Sequence, residues 1–251
     1  MRPAPPFRRA SAQVAVLYGF HAVREALTAK RRRPLSLYAT PAAAARLEAD
    51  CAAAGIVAKI VEPHDLDRRL GAESVHQGVL LEAEPLPALN LDTIESKSGL
   101  VLVLDQITDP HNVGAIIRTA AAFAVDALVT TERHAPELTG TLAKAASGGL
   151  EHVGIVPVVN LARALEELGE LGYWRVGLDS AAPAALETAP LTSPLALVLG
   201  AEDKGLRRLT REKCDLLARL DMPGAIKSLN VSNACAVSLS LVRSRLHSGE
   251  P

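Results

Sequence analysis

The chain has 251 residues, of which 49% are hydrophobic, 22% charged and 3% aromatic, and its formal net charge is −1. This composition is typical of a globular protein with one large domain or two smaller ones, and it excludes a uniformly basic nucleic-acid binder. The first residues lack the apolar core of a signal peptide, and no later apolar run reaches membrane-spanning length. We therefore expect a cytoplasmic protein with no membrane partner.

Positive charge is concentrated in residues 1–33, which contain eight Lys or Arg residues and a single acid, Glu25. Two interpretations remain open for this region: a solvated tail, or a surface that contacts RNA phosphates. Residues 1–13 are interpreted as a basic, flexible tail. The three cysteines, Cys51, Cys214 and Cys235, lie far apart without a C-x-x-C pair, so we expect reduced thiols and no metal site.

Residues 14–84 alternate strand-like runs with helical patterns and are predicted to form a first, small α/β domain. The predicted strands are "VAVLYG", "LSLYAT" and "GVLLEAEP", and the predicted helices are "FHAVREALTAK" and "ARLEADCAAAG". Residues 85–98 gather prolines and polar residues, a composition that favours a linker. A second domain is predicted over residues 99–251.

The second domain has six aliphatic runs: "LVLVLD", "ALVTT", "VGIVPV", "WRVGLD", "LALVLG" and "LARLDM". Helical stretches such as "LARALEELGEL" separate several of them. Aliphatic strands that alternate with helices predict an α/β fold with a parallel sheet covered on both faces. Ligands of such sheets bind beyond the carboxyl ends of the strands, so the loops that follow the strands are where a site is expected.

The first of these loops continues "LVLVLD" as "QITDPHNVGAIIRTAAAF". Pro110 is unsuited to a helix interior and Asn112 is a good N-cap residue, which predicts a helix from about Val113. Arg118 falls on this helix among alanines and a glycine that leave its guanidinium uncovered. It is either a solvated surface arginine or a residue with room for a ligand.

The second loop follows "LALVLG" and reads "AEDKGL", a G-x-E-x-x-G turn formed by Gly200, Glu202 and Gly205. The two glycines permit a tight bend and close approach of the backbone to a ligand. Glu202 is expected at the strand end as a hydrogen-bond acceptor. The alternative is an ordinary turn between a strand and a helix.

The third loop leads from "LARLDM" into "PGAIKSLNVSNACAV", where Ser228, Asn230, Ser232 and Asn233 stand at the start of an apolar helix. Helix capping accounts for one or two of these polar side chains, and the surplus points to a binding role. If the three loops converge, they supply polar groups for a purine-like ligand. The sequence lacks the G-x-G-x-x-G, P-loop and G-x-S-x-G signatures of other nucleotide-binding and hydrolytic α/β proteins.

In this order the three loops resemble the three motifs of the SpoU (TrmH-like) branch of the SPOUT RNA methyltransferases. "DPHNVGAIIRTA" is similar to the first motif, "LVLGAEDKGL" to the second and "LDMPGAIKSLNVSNA" to the third, of which "SLNVS" is the most specific part. Leu220, Asp221 and Met222 stand where the third motif usually begins Ile-Pro-Met, and the missing proline is expected to loosen that loop. "YGFHAVREAL" and "ESVHQGVLLEAEP" resemble the family's small L30e-like RNA-binding domain. The segments between the motifs are similar to a subgroup that methylates a guanosine ribose in 23S ribosomal RNA.

The resemblance implies a C-terminal domain with a deep trefoil knot, an exception among protein folds. It also implies S-adenosylmethionine as the cofactor, RNA as the substrate and a homodimer whose active site includes residues of both subunits. Carried over by position, the cofactor-binding residues are Gly200, Leu220, Met222, Ser228 and Leu229. The residues implied in catalysis are Asn112, Arg118, Glu202, Ser228 and Asn230.

The implied reaction moves a methyl group to a ribose 2′-hydroxyl, and family proposals make Arg118 the base. A guanidinium stays protonated at neutral pH, which opposes that role. Alternatively, Arg118 clamps a phosphate and stabilises the developing alkoxide, while Glu202 or a phosphate oxygen takes the proton. Two alternatives to a 23S rRNA enzyme remain: a methyltransferase of the same family that acts on transfer RNA, and a catalytically silent RNA-binding or ribosome-assembly protein.

Overall fold

The computed structural model describes residues 14–95, 98–133, 135–138, 140–201 and 204–248. The basic tail expected over residues 1–13 lies outside these described residues. By its contacts the chain divides into two compact units. One contains the described residues up to Pro87 together with Glu137–Glu151, and the other contains Ala88–Pro136 and the described residues from His152 onward.

The first unit is built around a four-stranded sheet of β1 Ala15–Tyr18, β2 Pro34–Ala39, β3 Ala58–Ile60 and β4 Val79–Ala83, and the strand order is β1-β4-β2-β3. Strand β4 runs antiparallel to both of its neighbours, and β2 and β3 are parallel. Helix α1 Phe20–Thr28 follows β1. Helices α2 Pro41–Arg46 and α3 Glu48–Ala54 lie between β2 and β3 in the chain, and α4 Pro63–Leu70 lies between β3 and β4. The three strands predicted for this region are confirmed, and β3 is an additional edge strand.

The remaining elements follow in chain order, and all but α6 and the 3-10 turn after it belong to the second unit. They are a 3-10 turn Leu91–Thr93, β5 Leu100–Asp105, α5 Pro110–Ala122, β6 Ala127–Thr131, α6 Gly140–Ala146, a 3-10 turn Gly149–Glu151, β7 Gly154–Val158, α7 Leu161–Glu170, β8 Trp174–Leu178, β9 Ala184–Ala185, β10 Leu195–Gly200, α8 Arg208–Glu212, β11 Leu216–Arg219 and α9 Val231–Ser248. Among the described residues, no helix is long and apolar enough to cross a membrane.

The second unit contains a seven-stranded sheet with the order β7-β6-β5-β10-β8-β11-β9, and every strand pair in it is parallel. All six predicted strands are present, so the predicted parallel α/β sheet is confirmed. The central strands β5 and β10 are buried almost throughout because their aliphatic side chains are covered on both faces. Strands β6 and β7 lie on one side of β5, and β10, β8, β11 and β9 lie on the other side. The trefoil knot remains a prediction.

The segment Glu137–Glu151 lies between β6 and β7 in sequence but belongs to the first unit by its contacts. A buried ion pair holds its end: Arg32 Nη2 lies 2.7 Å from Glu151 Oε1, and both side chains are 2% exposed. Arg32 Nε donates to Glu151 Oε2 at 3.2 Å. Arg32 is therefore buried in an ion pair. It is not a solvated side chain or a surface contact for RNA phosphates, the two interpretations of the basic N-terminal region.

Replacing Glu151 with alanine is expected to destabilise the first unit by about 3–5 kcal/mol, because Arg32 then remains buried without a counter-charge. Hydrogen exchange of the β2 and β4 amides measures this loss locally. Glu84→Ala is the matched control, since its pair with Arg33 is 3.6 Å long and largely exposed and is expected to contribute at most about 1 kcal/mol. Equal effects of the two substitutions would contradict this assignment.

Candidate active site

A pocket lies in the second unit at the carboxyl ends of three adjacent strands, β8, β10 and β11. Its walls come from the loops that follow these strands and from the first turns of α9. The pocket is thus at the edge of the sheet where the sequence predicts a ligand.

All five residues predicted to bind the cofactor line this pocket, although they come from two separate parts of the chain. Gly200 ends β10, whereas the others stand in the irregular segment between β11 and α9; the five are Gly200, Leu220, Met222, Ser228 and Leu229. The structure brings them together around one cavity. Their role in binding remains a prediction.

The turn after β10 is tight because two glycines approach each other closely. A Cβ atom on Gly200 would lie 2.2 Å from the carbonyl carbon of Gly205, a distance that real Cβ contacts do not show. Gly205 has φ +61° and donates its N–H to the carbonyl of Ala201 at 2.7 Å. The predicted close bend is therefore present. Glu202, the predicted acceptor in this turn, lies outside the described residues.

Helix α5 begins earlier than the sequence predicts. Its N-cap is Asp109, whose carboxylate accepts from the backbone N–H of His111, and Pro110 occupies the first turn. The prediction of Asn112 as the N-cap is wrong, because proline is well suited to the first helical position, where its missing N–H has no partner to lose. The amide of Asn112 is consequently free for another role.

Asn112 and Asn230, two residues predicted for catalysis, are joined directly although 118 positions separate them. Asn230 Nδ2 donates to Asn112 Oδ1 at 2.9 Å. Asn230 Oδ1 accepts from the backbone N–H of Ser232 at 2.9 Å and from its hydroxyl at 2.6 Å. Asn230 thus caps α9 and fastens α9 to α5, against which it packs.

This network also fixes which way the two amides point. A backbone N–H can only donate, so the Asn230 atom that meets it must be oxygen, and Nδ2 must face Asn112. Asn112 then accepts through Oδ1, and its own Nδ2 makes no hydrogen bond to any other described residue. The arrangement leaves Asn112 with an amide donor for a ligand.

Arg118 is exposed on α5 and does not line the pocket. Within the described ranges it makes no hydrogen bond or ion pair, so no protein partner neutralises its guanidinium there. The structure does not join Arg118 to Asn112 or Asn230. Both sequence-based interpretations, a solvated arginine and a residue that waits for a substrate, are compatible with this placement.

The departure from the third motif places an ion pair in the loop. Asp221, where the motif usually has proline, accepts from Arg219 Nε at 2.8 Å. Arg219 Nη1 in turn donates to the carbonyls of Ala182 and Pro183, at 3.0 Å to Ala182. Arg219 also lines the pocket. The aspartate therefore ties this part of the loop to the segment that follows β8.

Sequence reasoning missed one wall of the pocket. Leu178, Asp179 and Ser180, at the end of β8, line it together with Lys227. The signal was present in "WRVGLD", because the strand ends in an aspartate at the sheet edge where ligands bind. Asp179 accepts from the backbone N–H of Ala181 at 2.8 Å, which orients its carboxylate.

The cysteines agree with the expectation of reduced thiols. All three are free, and burial raises the pKa of Cys214 and of Cys235 to about 12. Both thiols are therefore protonated at neutral pH and are poor nucleophiles. In the parts of the chain that are described, no group of three or more His, Cys, Asp or Glu side chains is placed to hold a metal ion.

The fold and the pocket define an α/β protein with a pocket at the carboxyl edge of a parallel sheet. Residues 99–240 match the SpoU rRNA Methylase family, and residues 16–89 match the RNA 2′-O ribose methyltransferase substrate binding family. Since the first match spans more than half of the chain, the protein belongs to the SpoU rRNA methylase family.

Two relatives and one solved structure illustrate the similarity. The chain is 40% identical over 241 residues to the 23S rRNA (guanosine-2′-O-)-methyltransferase RlmB of Pasteurella multocida, covering 92% of this chain and 98% of the relative. It is 39% identical to RlmB of Yersinia pestis, covering 92% and 97%. Its fold is similar to that of the SpoU methyltransferase AviRb from Streptomyces viridochromogenes, solved in complex with AdoMet, with a TM-score of 0.78, 24% identity and coverage of 95% and 92%.

Proposed function

We propose that this protein methylates the 2′-hydroxyl of a guanosine in 23S rRNA with S-adenosylmethionine as the methyl donor. The observation that carries the proposal is the meeting of the family's motif residues around one pocket and one hydrogen-bonded pair, Asn112 with Asn230. The identity of about 40% to RlmB proteins over nearly the whole chain supports the 23S rRNA substrate.

The residues of the pocket suit S-adenosylmethionine. Leucines at 178, 199, 220 and 229 give it an apolar lining for a purine ring, and Asp179 and Ser180 offer acceptors for hydroxyl groups. The close approach of Gly200 to Gly205 leaves no side chain at the strand end, so the backbone itself forms that part of the wall. We assign Gly200, Leu220, Met222, Ser228 and Leu229 to holding the cofactor.

S-adenosylmethionine supplies a methyl group that its sulfonium already activates, so the protein mainly has to align the ribose hydroxyl and manage its proton. Asn112 has a free amide donor for the substrate. Arg118 has an unpaired guanidinium within the described chain, suited to a substrate phosphate and to the negative charge that develops on the 2′-oxygen. Glu202 or a phosphate oxygen is then the proton acceptor, because guanidinium is already protonated.

We further propose the domain roles and the assembly that the family resemblance implies. Residues 14–84 bind the RNA substrate, residues 85–98 link the domains, and residues 99–251 carry out methyl transfer within a knotted domain. The protein acts as a homodimer in the cytoplasm, without a membrane partner or a metal. The exposed apolar side chains of Ile226, just before α9, and of Val237, on α9, support a surface that a second subunit covers.

A transfer assay tests the proposed function directly. The purified protein is incubated with S-adenosylmethionine labelled in its methyl group and, separately, with 23S rRNA that lacks the modification, with 16S rRNA and with transfer RNA. We expect label only in 23S rRNA and, after digestion to nucleosides, only in 2′-O-methylguanosine. Label in transfer RNA would overturn the substrate assignment, and RNA binding without any label would show a silent protein.

A further inference from the structure

We propose that Asp105 is a positioning residue for the turn that forms one wall of the cofactor pocket, and that it acts through Arg207. This inference rests on the proposed function, since it concerns the same pocket. Asp105 is the last residue of β5 and lies in register with Gly200, the last residue of β10. Its side chain is fully buried, with 0% exposure.

The Asp105 carboxylate is held by one residue through two separate hydrogen bonds. Arg207 Nε donates to Oδ1 at 2.6 Å, and the backbone N–H of Arg207 donates to Oδ2 at 2.9 Å. The first bond is an ion pair, and the second fixes the main chain itself. Asp105 therefore determines where the backbone at Arg207 lies, 102 positions further along the chain.

The backbone at Arg207 follows directly on the turn that lines the pocket. Gly205 is two residues earlier, and its N–H closes the turn on Ala201. Gly200, Ala201 and Gly205 all line the pocket. The backbone of Gly205 and Leu206 packs directly against Gly200, without room for a Cβ atom. A shift of the backbone at Arg207 must therefore move the turn as well.

A second ion pair holds the far end of the segment 207–211, which follows the turn. Arg211, on α8, places Nη1 2.8 Å from Asp179 Oδ2, and the Asp179 side chain is 9% exposed. Strands β5 and β8 flank β10, so the segment after the turn is attached on both sides of the strand that carries it. The Asp105 attachment is the one adjacent to the turn.

A buried ion pair contributes little to stability, because the free energy of desolvating the carboxylate offsets most of the favourable interaction with its partner. The position of Asp105, in register with the pocket residue Gly200, explains the presence of a buried carboxylate better. A comparable pair stands at the opposite end of the same sheet: Asp215 accepts from Arg175 Nε and from the Arg175 backbone N–H, each at 2.8 Å. Asp215 immediately precedes β11, and Arg175 is the second residue of β8. This pair therefore lies away from the pocket and provides a matched control.

The test compares Arg207→Ala with Arg175→Ala in the full-length protein. We expect Arg207→Ala to raise the Kd for S-adenosylmethionine about tenfold, which corresponds to about 1.4 kcal/mol. We expect it also to speed hydrogen exchange of the Gly205 amide in the protein without ligand. Arg175→Ala is expected to leave both quantities unchanged, although each variant lowers the free energy of unfolding. Arg207→Lys retains the charge and is expected to recover most of the affinity.

An unchanged Kd in Arg207→Ala would overturn the positioning role, as would an equal rise in Arg175→Ala. Calorimetric titration with S-adenosylmethionine alone gives these values without RNA and without turnover. If the unsubstituted protein fails to bind S-adenosylmethionine, the proposed function fails instead. Exchange of the Gly205 amide then decides the role of the Asp105–Arg207 ion pair by itself, and equal exchange in the two alanine variants would refute it.

Discussion

Replacing Arg118 with alanine is expected to lower the rate of methyl transfer by a factor of about 10²–10³, the range observed when a donor to a developing oxyanion is removed. The reason is that this exposed guanidinium is the cation we assign to the substrate phosphate and the 2′-oxygen. The Kd for S-adenosylmethionine is expected to stay unchanged, since Arg118 does not line the pocket. Single-turnover assays and calorimetric titration measure the two quantities separately.

Arg163→Ala is the matched control for Arg118→Ala. Arg163 is likewise exposed on a helix of the second unit, α7, and is not among the pocket residues. Its loss is expected to leave transfer unchanged. Full activity in Arg118→Ala would remove Arg118 from catalysis, and an equal loss in both variants would indicate a general effect of charge.

Substituting alanine for Gly200 is expected to weaken binding of S-adenosylmethionine by a factor of about 10–100, corresponding to the 1–3 kcal/mol that overpacking typically costs. The added Cβ would meet backbone atoms of Gly205 and Leu206 at 2.2–2.4 Å, and a backbone cannot rotate away as a side chain can. The turn must therefore open or shift, and the pocket wall shifts with it. Equilibrium dialysis with labelled S-adenosylmethionine measures the change.

Gly154→Ala separates this effect from the general cost of filling space in the sheet. Gly154 begins β7, at the far edge of the same sheet, and its Cβ would meet chiefly the end of the Leu89 side chain. That side chain can move, so we expect normal affinity in this variant. Tight binding by Gly200→Ala would show that the turn does not form the cofactor site.

The sequence predicted the long buried strands well and missed the two shortest edge strands, β3 and β9. Strands β5 and β10 coincide with their aliphatic runs residue for residue, because continuous burial demands continuous apolar side chains. Strand β3, with exposed Lys59 and Ile60, has neither alternation nor an apolar run. Its pairing with β2 is decided by the neighbouring strand rather than by its own composition.

The cofactor residues were predicted by carrying them over from the family's motifs by position. Strand topology by itself indicates only the edge of the parallel sheet at which the loops lie. What the sequence could not show is pairing over long distances. The contacts of Asp105 with Arg207 and of Arg32 with Glu151 join residues 102 and 119 positions apart, and neither pair belongs to a local pattern. The start of α5 was misplaced for a local reason, since both Asp109 and Asn112 are good N-cap residues and the proline between them favours the earlier one.

A crystal structure of the protein with S-adenosylmethionine or its demethylated product tests most directly whether this pocket is the cofactor site. We predict electron density for the ligand between the ends of β8, β10 and β11, in contact with Gly200, Leu220 and Leu229. A ligand bound elsewhere on the molecule, with the pocket closed, would contradict the account.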